Sequence, residues 1–262
     1  MLDPALITSI LYLPAITHIS GIPIAYNSIK CRNPTPPRCL SLVSLKLHES
    51  EIDEATLGLL LRTTPSLRHL HFDRHIDLDA NPPPAHLEEW EWFDLPKLRR
   101  AIAPLQTQLR SPSLGVHFFA NTSLDVGADS RWGVHPSICG FTEFTQLESL
   151  EVPLVGFPGQ RDDGGGERVE DLGGLPRSLK RLRLRNDLAE HDTYLWEPKV
   201  ALRWIEGFLG QKDEYAPQLE EMALVVGENR DHEWNEEERG QFRRLCAEVG
   251  IRCNISEDLS RF

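Results

Sequence analysis

The chain is paced by one apolar frame. It runs as an apolar residue, two spacers, a second apolar residue, one spacer and a third. Leu67, Leu70 and Phe72 make one copy. Leu42/Leu45/Leu47, Leu147/Leu150/Val152, Leu179/Leu182/Leu184 and Leu219/Met222/Leu224 make others, and Ile16/Ile19/Gly21 is a weaker one. Within each copy the later positions alternate apolar with polar, a period of two that sends successive side chains to opposite faces of a strand. One such strand cannot bury its apolar face alone, but stacked copies bury a shared core. Pro65, Pro176 and Pro217 stand two or three residues before the first apolar position, and Pro14 does so in the weak copy. A shared proline beside a shared frame favours a true repeat over unrelated strands of an ordinary α/β domain.

The intervening stretches supply the other elements. Residues 3–12 read as a short helix, with Asp3 as N-cap and Pro4 in the first helical position. A second helix is expected over 54–62, capped by Asp53, with Ala55, Leu57, Leu60 and Leu61 on one face. A third is expected over about 95–109, where Leu98, Ile102, Leu105 and Leu109 recur at helical spacing, and it leads to a strand at Leu114–Phe118. Pro198 opens a fourth helix running to about Leu209. Asn235 with Glu238 three residues on has the residue types of an N-cap and its reciprocal carboxylate. Phe242, Leu245, Cys246 and Val249 form the apolar face of that last helix, Gly250 stops it, and 251–255 read as an edge strand. Successive first leucines are 25 residues apart from Leu42 to Leu67, 32 from Leu147 to Leu179 and 40 from Leu179 to Leu219. Long loops at about 73–94, 119–140 and 156–176 account for the irregularity. Trp90, Trp92 and Phe93 are expected to pack as a satellite cluster beneath the first of them.

These features together point to a leucine-rich-repeat solenoid, a single α/β domain over 1–262 with a curved parallel sheet on its concave side and helices on its convex side. The chain opens partway through a repeat with no polar cap, so a covering element is expected upstream or from a partner. At 40% hydrophobic and 26% charged residues the composition is that of a soluble globular protein. Its 28 basic against 40 acidic residues leave a formal charge of −12, which disfavours nucleic acid as a partner. The five cysteines, Cys31, Cys39, Cys139, Cys246 and Cys253, include no C-x-x-C pair, so free thiols in a reducing compartment are expected. The start Met1-Leu2-Asp3-Pro4 lacks the positive charge of a signal peptide, and prolines interrupt the apolar runs. The expectation is an intracellular protein, cytoplasmic or nuclear, without membrane partners.

Several phrases resemble the leucine-rich-repeat region of fungal F-box-type proteins. The clearest are Leu57-Gly58-Leu59-Leu60-Leu61-Arg62-Thr63-Thr64-Pro65, Phe144-Thr145-Gln146-Leu147-Glu148-Ser149-Leu150-Glu151-Val152-Pro153-Leu154 and Leu175-Pro176-Arg177-Ser178-Leu179-Lys180-Arg181-Leu182-Arg183-Leu184-Arg185. The resemblance covers most of 40–226. It implies a substrate-recognition segment of a ubiquitin ligase, in which repeats hold the substrate and an F-box module docks on the ligase. No F-box is found in this sequence, so a role as ligase adaptor is expected only if one lies upstream.

The spacers between the leucines are the candidate binding residues. They are Lys46 and His48; His69, His71 and Asp73; His117; Glu151; and Arg181, Arg183 and Arg185. If the register holds they share one concave face and suit another protein, acidic or of mixed charge. His69-x-His71 places two imidazoles on one strand face, with Asp73 continuing the row and His48 a possible neighbour across strands. Zinc ordinarily takes three or four ligands at good geometry, so no metal or cofactor is expected. No G-x-S-x-G elbow is present, and Asp163-Gly164-Gly165-Gly166 lacks the G-K-[ST] ending of a phosphate loop. The chain therefore reads as a binder and not an enzyme. The alternatives are a hydrolase-like α/β enzyme with a site in the long loops and an inert truncated fragment.

Overall fold

The computed structural model of the protein describes residues 10–11, 13, 15–21, 38–77, 91–119, 133–135, 141–154, 174–187, 198–226 and 234–257. The chain divides into two compact α/β units, Met1–His135 and Pro136–Phe262. The first carries β1 (His18–Ile19), β2 (Ser44–Ser50), α1 (Glu54–Arg62), β3 (His69–Asp77), β4 (Glu91–Asp94), α2 (Leu95–Ile102), β5 (Ser111–Phe119) and β6 (Gly133–His135). In it β1, β2, β3 and β5 lie side by side, each parallel to its neighbour. β4 and β6 make a separate parallel pair. The second unit carries β7 (Ser149–Pro153), β8 (Arg181–Arg185), α3 (Pro198–Gly210), α4 (Lys212–Tyr215), β9 (Glu221–Val226), α5 (Glu236–Glu248) and β10 (Arg252–Glu257). There β7, β8, β9 and β10 follow in order, again all parallel.

The leucine triplets face inward as their spacing requires. Leu45, Leu47, Leu70, Phe72, Leu150, Val152, Leu182, Leu184, Met222 and Leu224 are all buried on their strands. The first residue of each triplet is buried too, but it lies ahead of the strand, in a turn. The Leu67 amide bonds the Thr64 carbonyl at 3.1 Å, Leu147 that of Phe144 at 3.0 Å, Leu179 that of Pro176 at 3.0 Å and Leu219 that of Ala216 at 3.0 Å. Pro65 and Pro217 thus occupy the second position of a four-residue turn, where a fixed φ near −65° is favourable. Pro176 instead stands in the first position of its turn, and with or without a proline each strand starts two residues later than the apolar frame alone suggests.

Just past that turn the backbone repeats itself. One carbonyl accepts two consecutive amides from the next strand. Thr17 takes those of Val43 (2.8 Å) and Ser44 (3.1 Å), Val43 those of Arg68 (2.9 Å) and His69 (3.0 Å), and Arg68 those of Arg110 (2.8 Å) and Ser111 (3.1 Å). In the second unit Glu148 takes Lys180 (2.9 Å) and Arg181 (3.0 Å), and Lys180 takes Glu220 (2.8 Å) and Glu221 (3.0 Å). Serine hydroxyls add a second tie: Ser41 donates to the Ile16 carbonyl and Ser178 to that of Leu147, both at 2.8 Å.

The helices carry the expected caps. Asp53 accepts from the Thr56 amide at 2.7 Å. Asn235 and Glu238 close the reciprocal box, at 3.0 Å and 3.1 Å, and Gly250 leaves α5 at φ 72°. α2 is shorter than its periodicity suggests. It ends at Ile102 and tightens into a 3-10 turn over Ala103–Leu105, because Pro104 has no amide hydrogen to continue the ladder. Leu105 and Leu109 are buried nonetheless. α1 and α2 meet closely: a methyl on Gly58 would stand 3.3 Å from both Cα and Cβ of Ala101. In the second unit Trp204 stacks on Phe208 with ring centroids 5.7 Å apart, and Trp234 meets Phe242 edge-on at 6.5 Å. No described helix is long and apolar enough to cross a membrane. Most of the helix expected over 3–12, the Trp90, Trp92 and Phe93 side chains, Cys31, Cys139 and most of the three long loops lie outside the described residues.

Truncating a core position on a strand is expected to be costly. Leu70→Ala or Leu182→Ala should lower unfolding free energy in urea by about 2–5 kcal/mol. Leu59→Ala, whose side chain is 50% exposed on α1, should stay within about 0.5 kcal/mol of wild type.

Candidate functional site

Parallel register brings the outward-facing spacers into rows. In the first unit Ser44, His69 and Ser111 align, then Lys46, His71 and Ser113, then Asp73 with Gly115, then His75 with His117. His69 is exposed, whereas Lys46, His71, His75 and His117 are half-buried.

β2 and β3 lose step between Leu47 and Ser50. Leu47 pairs with Phe72 and Ser50 with Arg74, so His48 and Glu49 together oppose Asp73 alone. This is a β-bulge, and Glu49 sits in it at φ 45°. A non-glycine residue in that left-handed region costs on the order of 1–2 kcal/mol. One consequence is that Ser50 is turned inward and buried. His48, next after the Leu47–Phe72 pair, faces Asp73 as the regular register requires, with its Nδ1 3.4 Å from Asp73 Oδ2. The same oxygen lies 2.7 Å from His71 Nε2, and the two imidazole rings tilt against each other with centroids 4.6 Å apart. Asp73 is buried at 7% side-chain exposure, while His48 keeps 38%. Burial is the main cause holding the His48 pKa below that of free imidazole; the neighbouring His71 and Lys46 act the same way, and Asp73 opposes them.

Arg74 points to the opposite side of β3. Its Nη1 donates to Glu54 Oε1, which also accepts the Asp94 amide at 3.2 Å. Glu54 and Asp94 are both buried. Asp94 itself caps α2 by accepting from the Lys97 amide at 2.7 Å. This internal ion pair joins α1, β3 and the start of α2. Glu54, Arg74 and Asp94 were not among the expected site residues; the charged Arg74 at an inward strand position is the signal that could have suggested them.

In the second unit the three arginines of β8 share a face but not a fate. Arg181 is exposed. Arg183 is 40% exposed with Nε 3.4 Å from Glu151 Oε2. Arg185 is only 4% exposed; its Nε donates to both Asp187 oxygens at 2.9 Å and 3.1 Å, and its Nη1 to Glu151 Oε1 at 3.3 Å. Its strand neighbours Pro153 and Val225 are also buried. Arg185 and Glu151 therefore serve chiefly to neutralise one another and Asp187, while Arg181 and Arg183 keep access to solvent. Arg252 on β10 is exposed and stands 3.4 Å from Glu221 on β9. Neither Arg252 nor Asp187 was among the expected site residues. Asp187 continues the alternation of Arg181, Arg183 and Arg185, a parity that could have revealed it.

Cys246 is fully buried on α5, and its thiol pKa is pushed up to about 12, chiefly by burial and then by the neighbouring Cys253. It is inert, as expected of a packed thiol. No protein-family model matches the chain, and neither does any curated protein or solved structure.

Two measurements follow from these geometries. Because the His48 pKa is lowered in the fold, its neutral form is favoured there, and the stability it contributes is present above the unfolded value and lost as pH falls. An NMR titration of His48 should show a midpoint below about 6.5. Acidification from about pH 7.5 should then destabilise wild type more than His48→Gln, the loss beginning near that same value. Separately, Arg185→Met leaves buried Asp187 without its cation and should cost about 3–5 kcal/mol in urea unfolding. Arg181→Met should shift it by less than about 0.5 kcal/mol.

Proposed function

We propose that the chain is a protein-binding scaffold of the leucine-rich-repeat kind, similar to the substrate-recognition segment of fungal F-box-type proteins. The observation that carries this reading is the division of labour along each strand. Inward positions are mostly apolar and buried, Ser50 and Arg74 excepted, whereas outward positions are mostly polar and in register, with His69, Arg181 and Arg252 open to solvent. A face of that kind costs nothing to keep wet and offers donors and acceptors in fixed rows. The recurring turn, leucine and shared-carbonyl pattern in both units supports the repeat reading behind it.

The surface best suited to contact in the second unit comprises Arg181, Arg183 and Arg252, with Glu221 and Glu151 interspersed. In the first it comprises His69, Lys46 and His117. A partner with acidic or mixed-charge segments fits that balance, since charged rims steer encounter and set specificity. The acidic excess lies elsewhere, in segments such as 77–94 and 187–197, whereas α5 holds four glutamates against three arginines.

The test uses the full chain as bait, beside a variant carrying Arg181→Glu and Arg183→Glu. Arg185 is left intact because its role is internal. Proteins enriched by wild type would be quantified by mass spectrometry, and the leading one purified for titration. Charge reversal is expected to weaken it at least about tenfold, with affinity falling as salt rises. Equal binding by both baits would overturn the reading.

A further inference from the structure

We propose that His48, His71 and Asp73 form a binding site for a divalent transition-metal ion of zinc type on the outward face of β2 and β3. This goes beyond the scaffold reading and does not rest on it. The donor set is two imidazoles and one carboxylate, the chemistry such ions prefer. One ligand atom from each residue lies within 4.8 Å of the other two. Bond lengths near 2.1 Å place the ligand atoms of a tetrahedral ion roughly 3.4 Å apart. His48 Nδ1 and Asp73 Oδ2 already stand at 3.4 Å, and the 2.7 Å contact from His71 needs to open by less than an ångström as its proton gives way to the ion.

The fold builds this convergence. His71 and Asp73 share a face because they are two residues apart on one strand. His48 meets them because the register that pairs Leu47 with Phe72 sets it opposite Asp73, at the head of a bulge that holds Glu49, a non-glycine, at φ 45°. Strained backbone of this sort concentrates at functional sites. His69, which sequence spacing paired with His71, is not part of the set. Asp73 is buried while His48 is more than a third exposed, so the ion would rest on a fixed carboxylate with a path to solvent. Three protein ligands leave a fourth position to water or to a donor from outside. The positive group nearest in register is Lys46, beside His71; its long flexible stem lets the ammonium swing away.

The experiment treats the purified full chain with chelator, then titrates it with Zn²⁺ by calorimetry and with Co²⁺ by visible absorption. Wild type should take up one equivalent and show cobalt d–d bands. His48→Gln, His71→Gln and Asp73→Asn should each weaken binding at least about tenfold and lose those bands, while His69→Gln and His75→Gln should bind as wild type does. Circular dichroism of the metal-free variants separates lost ligation from lost fold. Should the two β3 variants fail to fold, His48→Gln on the half-exposed bulge decides alone. No uptake by wild type would reduce the cluster to a hydrogen-bonded His–Asp–His group and overturn the proposal. Unchanged binding by His48→Gln would also overturn it, assigning the ion to others among the chain's ten histidines. Because no partner protein enters the measurement, its failure leaves the scaffold reading standing.

Discussion

A parallel strand has no hydrogen-bond partner within itself, so every rung of these two ladders depends on the rung beside it. The chain meets that requirement at a fixed point. A turn closes on the first leucine of each triplet, and in all but the last the next residue's carbonyl takes two successive amides from the following strand. Once that junction is set, alternation does the rest. Apolar residues fall on the side where helices pack, and the spacers fall on the other. Fold and candidate site are thus two faces of one backbone arrangement.

Much of this was legible in the sequence. The apolar frame located the strands, Asp53 and the Asn235/Glu238 pair located helix starts, and Gly250 located a stop. The parity of the spacers put Lys46, His71 and Asp73 on one face. What the sequence concealed has specific causes. The bulge at His48 and Glu49 is invisible because no glycine marks it, so the inward turn of Ser50 was hidden, whereas His48 opposite Asp73 follows from plain register. The shortening of α2 was available in Pro104, but four well-spaced apolar residues argued the other way. They remain buried without being helical throughout. The turn that precedes each strand was also hidden, since the first leucine of a triplet is buried whether or not it belongs to the strand.

Identical residues at identical parity can do different work. Arg181, Arg183 and Arg185 read as one basic stripe, yet the last is enclosed by Pro153, Val225 and two carboxylates. A buried guanidinium requires paired and hydrogen-bonded surroundings, and Asp187 and Glu151 provide them. The same logic holds on the inner side of β3, where Arg74 is tolerated because Glu54 meets it. Among the described residues these two arginines are thus compensated, whereas Arg181, at the start of β8, is open to solvent.

The tight meeting of Gly58 with Ala101 bears on geometry beyond its own neighbourhood. Adjacent strands stand about 4.8 Å apart, whereas packed helices prefer axes 8–10 Å apart. Removing one side chain and shrinking the facing one lets α1 and α2 approach closely at this point. Two small residues thereby narrow that difference in spacing where α1 and α2 meet, and a bulkier side chain at Gly58 would have to push Ala101 aside.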